Sequence, residues 1–208
     1  MVRIREIETD SVIGSANPLL QAASVNVAHV PIRNRGTIGG SLSHADPAAD
    51  MPGIAIVCGA NIRLRGPDGT RTVAAIDFFD GIFSTSAREE EIVTEIVFLR
   101  WPDNRHWAFR EISRRQGDFA MIGVGAWFDL DVSGQIKDAR IVAIGAGDTP
   151  ILLPSAQAAL LGRVPDDTVI AEAAQAGIAD LQPGSDIHAT SEYRREVGGV
   201  LILSLIHI

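Results

Sequence analysis

Arg33-Asn34-Arg35-Gly36-Thr37-Ile38-Gly39-Gly40-Ser41-Leu42-Ser43-His44-Ala45-Asp46-Pro47-Ala48-Ala49-Asp50-Met51-Pro52 is the stretch on which the reading of this chain turns. Gly39 and Gly40 remove two successive β-carbons, so the backbone there is expected to take positive φ and to approach a ligand closely. Thr37 and Ser41 flank the pair with hydroxyls, and consecutive free N–H groups in such a bend make a concave anion site. Asp46-Pro47-Ala48-Ala49-Asp50 then reads as a helix start. Asp46 is its N-cap, Pro47 its first helical residue, and Asp50 lies within the first turn. The run is neither a Walker loop, since no Lys-Ser/Thr follows the glycines, nor a G-x-G-x-x-G fingerprint. A Gly-Gly pair alone is usually a plain turn, so the weight rests on the whole segment.

Working outward, 208 residues accommodate one large or two small domains with a substantial core. A chain that is 46% hydrophobic and 21% charged is globular rather than disordered. The net charge of −8 argues against nucleic-acid binding, and no basic stripe interrupts it. The single cysteine, Cys58, excludes an internal disulfide and sits in an apolar Val-Cys-Gly context that suits a small buried hydrophobe. Met1 to Ile7 alternates like a strand rather than presenting a basic region followed by an apolar one. The apolar run Val200 to Ile208 is shorter than the roughly 20 residues that span a bilayer. A cytoplasmic location with no membrane span is therefore expected.

In chain order, Val2, Ile4 and Ile7 predict a first strand, and Asn17-Pro18 opens a helix carrying Leu19, Leu20, Ala23, Val27 and Val30. Asn61 to Arg65 and Thr70 to Val73 flank the turn Gly66-Pro67-Asp68-Gly69, which predicts a hairpin. Ile92 to Leu99 is a strand rich in β-branched residues, ended by Trp101-Pro102-Asp103-Asn104, where a domain boundary is placed. Strands are predicted over Met121 to Asp131 and Ile136 to Ile144. Helices follow over Ser155 to Leu161 and Asp167 to Ala176, closed by Gly162 and Gly177, and another begins at Ser191. Gly145-Ala146-Gly147 is read as a loop because Pro150 and Pro154 replace the helix a dinucleotide fold would need.

Asn34 to Ser41 together with His44 to Asp50 closely resembles the second flavin-binding motif of the FAD subunits of molybdenum hydroxylases, the medium subunits of carbon monoxide dehydrogenase, xanthine dehydrogenase and their relatives. Arg114-Arg115-Gln116-Gly117-Asp118-Phe119-Ala120 is similar to the segment that closes over the isoalloxazine ring in that family. Asp186 and Ser191-Glu192-Tyr193-Arg194-Arg195 resemble its C-terminal signature. The resemblance implies an α+β fold. Residues 1–103 would be the second subdomain of a vanillyl-alcohol-oxidase-type FAD-binding domain. Residues 104–203 would be a small C-terminal domain with a three-stranded antiparallel sheet and helices. It implies that Thr37, Ile38, Gly39, Gly40 and Ser41 meet the FAD pyrophosphate, that Asp50 meets the ribityl or ribose side, and that Asp118 and Phe119 lie near the ring. A molybdopterin-binding large subunit and a [2Fe-2S] small subunit would be its partners, with electrons passing through FAD to NAD or another acceptor.

The residues leave alternatives open. Asp50 also reads as a charge on a first helical turn, Phe119 as a packed core aromatic, and Arg35 and Arg115 as surface ion-pair partners. His44, Asp46 and Asp50 lack a second His or Cys nearby, so no metal set is assigned, and no side chain stands out as a catalytic nucleophile or base. Relatives carry a preceding FAD subdomain with its own glycine motif, so a shortened chain with weak or no FAD binding is expected. The apolar residues 201–208 read as a doubtful, exposed, strand-like tail prone to aggregation. The alternatives in function are a fragment that only assembles with partners, or a stand-alone FAD oxidase.

Overall fold

The computed structural model describes residues 1–206. Its first stretch is helical, with α1 (Ile4–Thr9), α2 (Ser11–Ala16), α3 (Pro18–Ser24), α4 (Val30–Arg33), α5 (Ile38–His44) and α6 (Asp50–Val57). The strand expected from Val2, Ile4 and Ile7 is helix α1 instead. Ile4 and Ile7 are one turn apart and both are buried, and the Glu6 carboxylate accepts the Arg3 N–H at 2.6 Å to cap the helix. Val2 and Ile4 alternate as a strand would, but Ile4 and Ile7, three apart, share a face only in a helix, and the cap starts that helix here. Asp10 caps α2 by accepting from the Val12 and Ile13 amides. Asn17 caps α3, whose first residue is Pro18 as expected. That helix ends at Ser24, so Val27 and Val30 are not on it. Arg33, only 7% exposed, donates to Glu8 at 2.8 Å and to the Val27 and Ala28 carbonyls. It pins α4 to α1, and its guanidinium holds the Glu8 carboxyl below its ordinary range.

The predicted hairpin forms from β1 (Asn61–Gly66) and β2 (Gly69–Ala74), and β5 (Ile92–Val97) pairs with the other edge of β1. A short 3-10 turn and the small pair β3 (Phe79–Gly81) and β4 (Ser84–Thr85) lie between them. These strands pack with α1, α3, α5 and α6 around Leu19, Leu42, Met51, Ile54, Ile62 and Phe78.

A second antiparallel sheet, in the order β6 (His106–Ile112), β7 (Ile122–Leu130), β8 (Ile136–Ile144) and β9 (Ile151–Leu152), fills the rest of the molecule. Its core is the three long strands, and the two-residue β9 extends the β8 edge. One face carries Ile122, Val124, Ala126, Phe128, Ile141 and Ala143 and packs against α7 (Pro154–Leu160), α8 (Asp167–Ile178) and α9 (Ser191–Ile206). Gly162 follows α7 with φ of +73°. Gly177, expected to close α8, lies inside it instead: a Cβ there would come within 3.0 Å of the Ala156 Cβ, so its bareness serves the close approach of α7. The other face receives α6. A Cβ on Gly53 would clash with Ile144 Cγ2, far inside van der Waals contact, and one on Gly123 would lie 2.9 Å from Ile144 Cγ1, so the helix rides directly on the strands.

The tail departs from its reading. Residues 201–206 continue α9, and Leu201, Ile202, Leu205 and Ile206 are buried in the second core rather than exposed as a strand. An apolar run beside an apolar sheet face is stabilised by burial, about 1.5–3 kcal/mol per large side chain. His207 and Ile208 lie outside the described residues.

Candidate functional site

A cleft of about 610 Å³ opens between the α5–α6 corner, the loop that joins β6 to β7, and the segment leading into α9. The loop is pinched at its base by the Met121 N–H, which donates to the Ile112 carbonyl at 2.8 Å. It leans on the Ala28–His29 corner through Gly117, whose φ is +87° and whose missing Cβ would lie 2.8 Å from His29 Cε1. Any side chain at Gly117 would be strained and would push the loop away. Asp118 and Phe119 thereby line the rim of the cleft, with Phe119 61% exposed rather than packed in a core.

The floor is built by Asp46 to Asp50. The helix expected to start at Pro47 starts at Asp50, with Ala49 as its extended N-cap. Asp46 closes a local turn instead, its side chain accepting the Ala48 N–H at 2.9 Å. A short polar side chain bonds its own backbone two residues on as readily as it caps a helix. The Pro47 carbonyl accepts the Gly145 N–H at 2.8 Å, fastening this turn to the end of β8. Gly145, read from sequence as part of a loop, has φ of +66° there.

Asp50 is 8% exposed, and no donor reaches its Oδ1 among the described residues. Glu111, paired with Gly123 across β6 and β7, points to the α6 side of the sheet, and its Oε2 is likewise buried without a donor. The two carboxyl groups lie within hydrogen-bonding reach of each other. Burial, then the neighbouring Glu111 carboxyl, pushes Asp50 well above the usual carboxylate range. Burial pushes Glu111 up as well.

Across the cleft stands Arg194, 7% exposed. It donates to the Met121 carbonyl at 2.8 Å, to the Gly145 carbonyl at 3.1 Å and to Asp186 at 2.6 Å, while its Nε has no acceptor among the described residues. Against the burial that would raise it, the amides of Ala189 and His188 and the Arg194 guanidinium hold the Asp186 carboxyl below its ordinary value.

The sequence motif is distributed over this architecture. Gly39 and Gly40 do not take positive φ; they lie in the first turn of α5, capped by Thr37, which accepts the Gly40 N–H at 3.1 Å. Thr37 makes an isolated bridge with Arg3, and Ile38 is buried in the first core. The Ile38 and Ser41 amides are taken by Val2 and Thr37, leaving that of Gly39 unclaimed among the described residues. A Cβ on Gly39 would meet nothing within 4 Å, so the backbone there is open. Of the eight expected contact residues, Ser41, Asp50, Asp118 and Phe119 line the cleft, whereas Thr37, Ile38, Gly39 and Gly40 form the turn next to it. His44 also lines the cleft, its ring 5.0 Å from that of Phe83, while Asp46 is spent on its own turn. His44, Asp46 and Asp50 therefore do not converge on a common point. Sequence reasoning missed Glu111. Its signal was the alternation Trp107, Phe109, Glu111, which puts a carboxyl in line with two aromatic side chains on one face of β6.

The sequence and the fold are shared with known proteins. Residues 1–100 match the family described as FAD binding domain in molybdopterin dehydrogenase, and residues 107–207 match the CO dehydrogenase flavoprotein C-terminal domain. The 6-hydroxypseudooxynicotine dehydrogenase complex subunit alpha of Paenarthrobacter nicotinovorans is 34% identical over 95% of this chain and 67% of its own length. The carbon monoxide dehydrogenase medium chain of Hydrogenophaga pseudoflava is 30% identical over 95% and 68%. The solved structure of that organism's carbon monoxide dehydrogenase lacking the Mo-pyranopterin moiety superposes with a TM-score of 0.96, covering all of this chain and 72% of the other, at 30% identity. With both family matches lying end to end along the chain and the fold reproduced throughout, this protein belongs to the FAD-binding medium subunits of the molybdenum hydroxylases.

Proposed function

We propose that this subunit carries electrons within a larger molybdenum hydroxylase, receiving them from a [2Fe-2S] small subunit served by a molybdopterin-binding large subunit. Delivery is to NAD or another acceptor. FAD, when bound, supplies the exchange between one-electron and two-electron carriers, and the protein supplies position and electrostatics. The chain's residues fit such a group: Arg194 lines the cleft with a buried Nε that has no acceptor among the described residues, and the turn beside the cleft leaves the Gly39 N–H unclaimed. The Arg194 donor carries the reading, because a buried polar group without a partner is costly unless a ligand completes it.

In this reading the open turn from Thr37 to Ser41 holds the diphosphate, through the Gly39 N–H and the Thr37 and Ser41 hydroxyls, with Ile38 anchoring the turn in the core. Asp50 meets the ribityl or ribose side, and Asp118 and Phe119 border the ring and exclude water from it. No residue is assigned a catalytic role. The units 1–103 and 104–203 act as cofactor cradle and cover. No helix among the described residues is long and apolar enough to cross a membrane, and the proposed location is the cytoplasm.

Gly39→Asp tests the diphosphate contact. Its side chain has free space, so folding is expected to be unaffected. A like charge at about 4 Å repels by roughly 1–4 kcal/mol between bulk water and a protein surface, so FAD is expected to bind at least about tenfold more weakly. Equal FAD affinity of Gly39→Asp and wild type in fluorescence titration would overturn the role of this turn.

A further inference from the structure

Where α6 begins, two carboxyl groups meet with no cation between them. Asp50 and Ile54 lie one helical turn apart, and Glu111 and Phe109 two residues apart on β6. A Cβ on Gly125 would lie 3.6 Å from Ile54 Cδ1 and 3.4 Å from Phe109 Cδ2. The same helix face and strand face, one step along, therefore bring Asp50 against Glu111. Neither carboxyl forms an ion pair among the described residues, and one oxygen of each is buried with nothing donating to it. Two ionised carboxylates in that position would leave both oxygens unsatisfied and add like-charge repulsion. A single proton shared between the two carboxyl groups would remove the repulsion and supply the donor that both lack.

We propose that Asp50 and Glu111 share one proton at neutral pH, so that the cleft floor carries one negative charge instead of two, and that this proton couples flavin binding to pH. The coupling rests on the reading that FAD occupies the cleft; the shared proton does not. Glu111 is then a positioning residue that acts through Asp50. The other charged and titratable groups around the cleft are His44 on α5, Arg114 and Asp118 in the loop, and Asp186, His188 and Arg194 on the far wall. Arg194 is committed to Asp186 and to two carbonyls. Asp46, in the turn before α6, is committed to the Ala48 amide. The group that acts on Asp50 is Glu111.

As pH rises through the pair's elevated titration, the proton leaves to solvent, the floor gains a second negative charge, and an anionic dinucleotide is held less tightly. Each unit by which bound flavin displaces that titration is worth about tenfold in affinity. Two measurements decide the matter. Infrared spectra of the full chain at neutral pH are expected to show the carbonyl stretch of a protonated, buried carboxyl, lost in Asp50→Asn and in Glu111→Gln. In FAD titrations, wild-type affinity is expected to fall about tenfold between neutral and alkaline pH, and Glu111→Gln to flatten that profile because its amide donates to Asp50 without titrating.

A wild-type spectrum without the band, or a band that survives in both variants, overturns the shared proton. A band accompanied by FAD binding that is independent of pH overturns the coupling. A band with no FAD bound at any pH overturns the cofactor reading and the coupling with it, and leaves the shared proton standing.

Discussion

The two faces of the β6–β9 sheet are buried to a similar degree and built on opposite plans. The face toward α7, α8 and α9 is an apolar cluster, from Ile122 to Ile141 and on to Leu201 and Ile202, with His106 and Arg110 its polar members on β6. The face toward α6 is threaded with polar groups. Trp127 donates its indole N–H to the Val57 carbonyl at 2.7 Å, and Arg140 reaches the Ile56 carbonyl at 3.5 Å. Both carbonyls sit at the C-terminal end of α6, where the helix itself offers no donor. Arg105 lies 3.6 Å over the Trp127 ring and binds Asp129 with two nitrogens, at 2.9 and 2.7 Å. Asp50 and Glu111 complete the row. A dry face tolerates only volume-preserving change, whereas a polar face fixes one orientation of the helix it receives, and it is the polar face that borders the cleft.

The contrast can be broken first on the dry side. Ile141→Ala removes a side chain that is 1% exposed and is expected to lower stability in urea unfolding by about 2–5 kcal/mol, the cost of deleting buried methyl groups and leaving a cavity. On the α6 side, Gly53→Ala improves helix propensity by up to about 1 kcal/mol. It nevertheless drives a methyl into Ile144, so a net loss is expected from an overpacking cost of about 1–3 kcal/mol. A stabilised Gly53→Ala protein would mean that α6 is not clamped on the sheet. The smallest effect at neutral pH is expected from Asp50→Asn. Asp50 titrates higher folded than unfolded, so its contribution is complete below the ordinary carboxylate range and is lost as pH rises through the elevated value. Wild type should therefore weaken toward alkaline pH, and Asp50→Asn should weaken less. Parallel stability curves for the two would remove Asp50 from the argument.

Much of the scaffold was legible because its signals are local. Asn17-Pro18 specifies a cap and a first turn, Gly66-Pro67-Asp68-Gly69 specifies a hairpin, the β-branched run Ile92 to Leu99 specifies β5, and the turn at Ser133-Gly134 separates β7 from β8. The errors fall where two local codes overlap. Val2 and Ile4 fit the alternation of a strand while Ile4 and Ile7 fit one face of a helix, and Asp46 suits an N-cap and a side-chain turn equally well. The Gly39–Gly40 pair was read as a bend because glycine permits one, but Thr37 supplies a cap and the chain continues as a helix. In the tail, an apolar run was read without the sheet face that covers it. Glu111 was hidden for another reason: a lone acid in an alternating strand is normally solvated, and only the docking of α6 places a second carboxyl against it.

Arg194 ties Met121, Gly145 and Asp186 together, and its partners are 73, 49 and 8 residues away along the chain. During synthesis on the ribosome, the walls contributed by α5, α6 and the β6–β7 loop emerge long before the residue that fastens them. The cleft is therefore fastened only after Arg194 has followed them out of the exit tunnel, so in the proposed reading the prosthetic group is inserted after α9 has emerged.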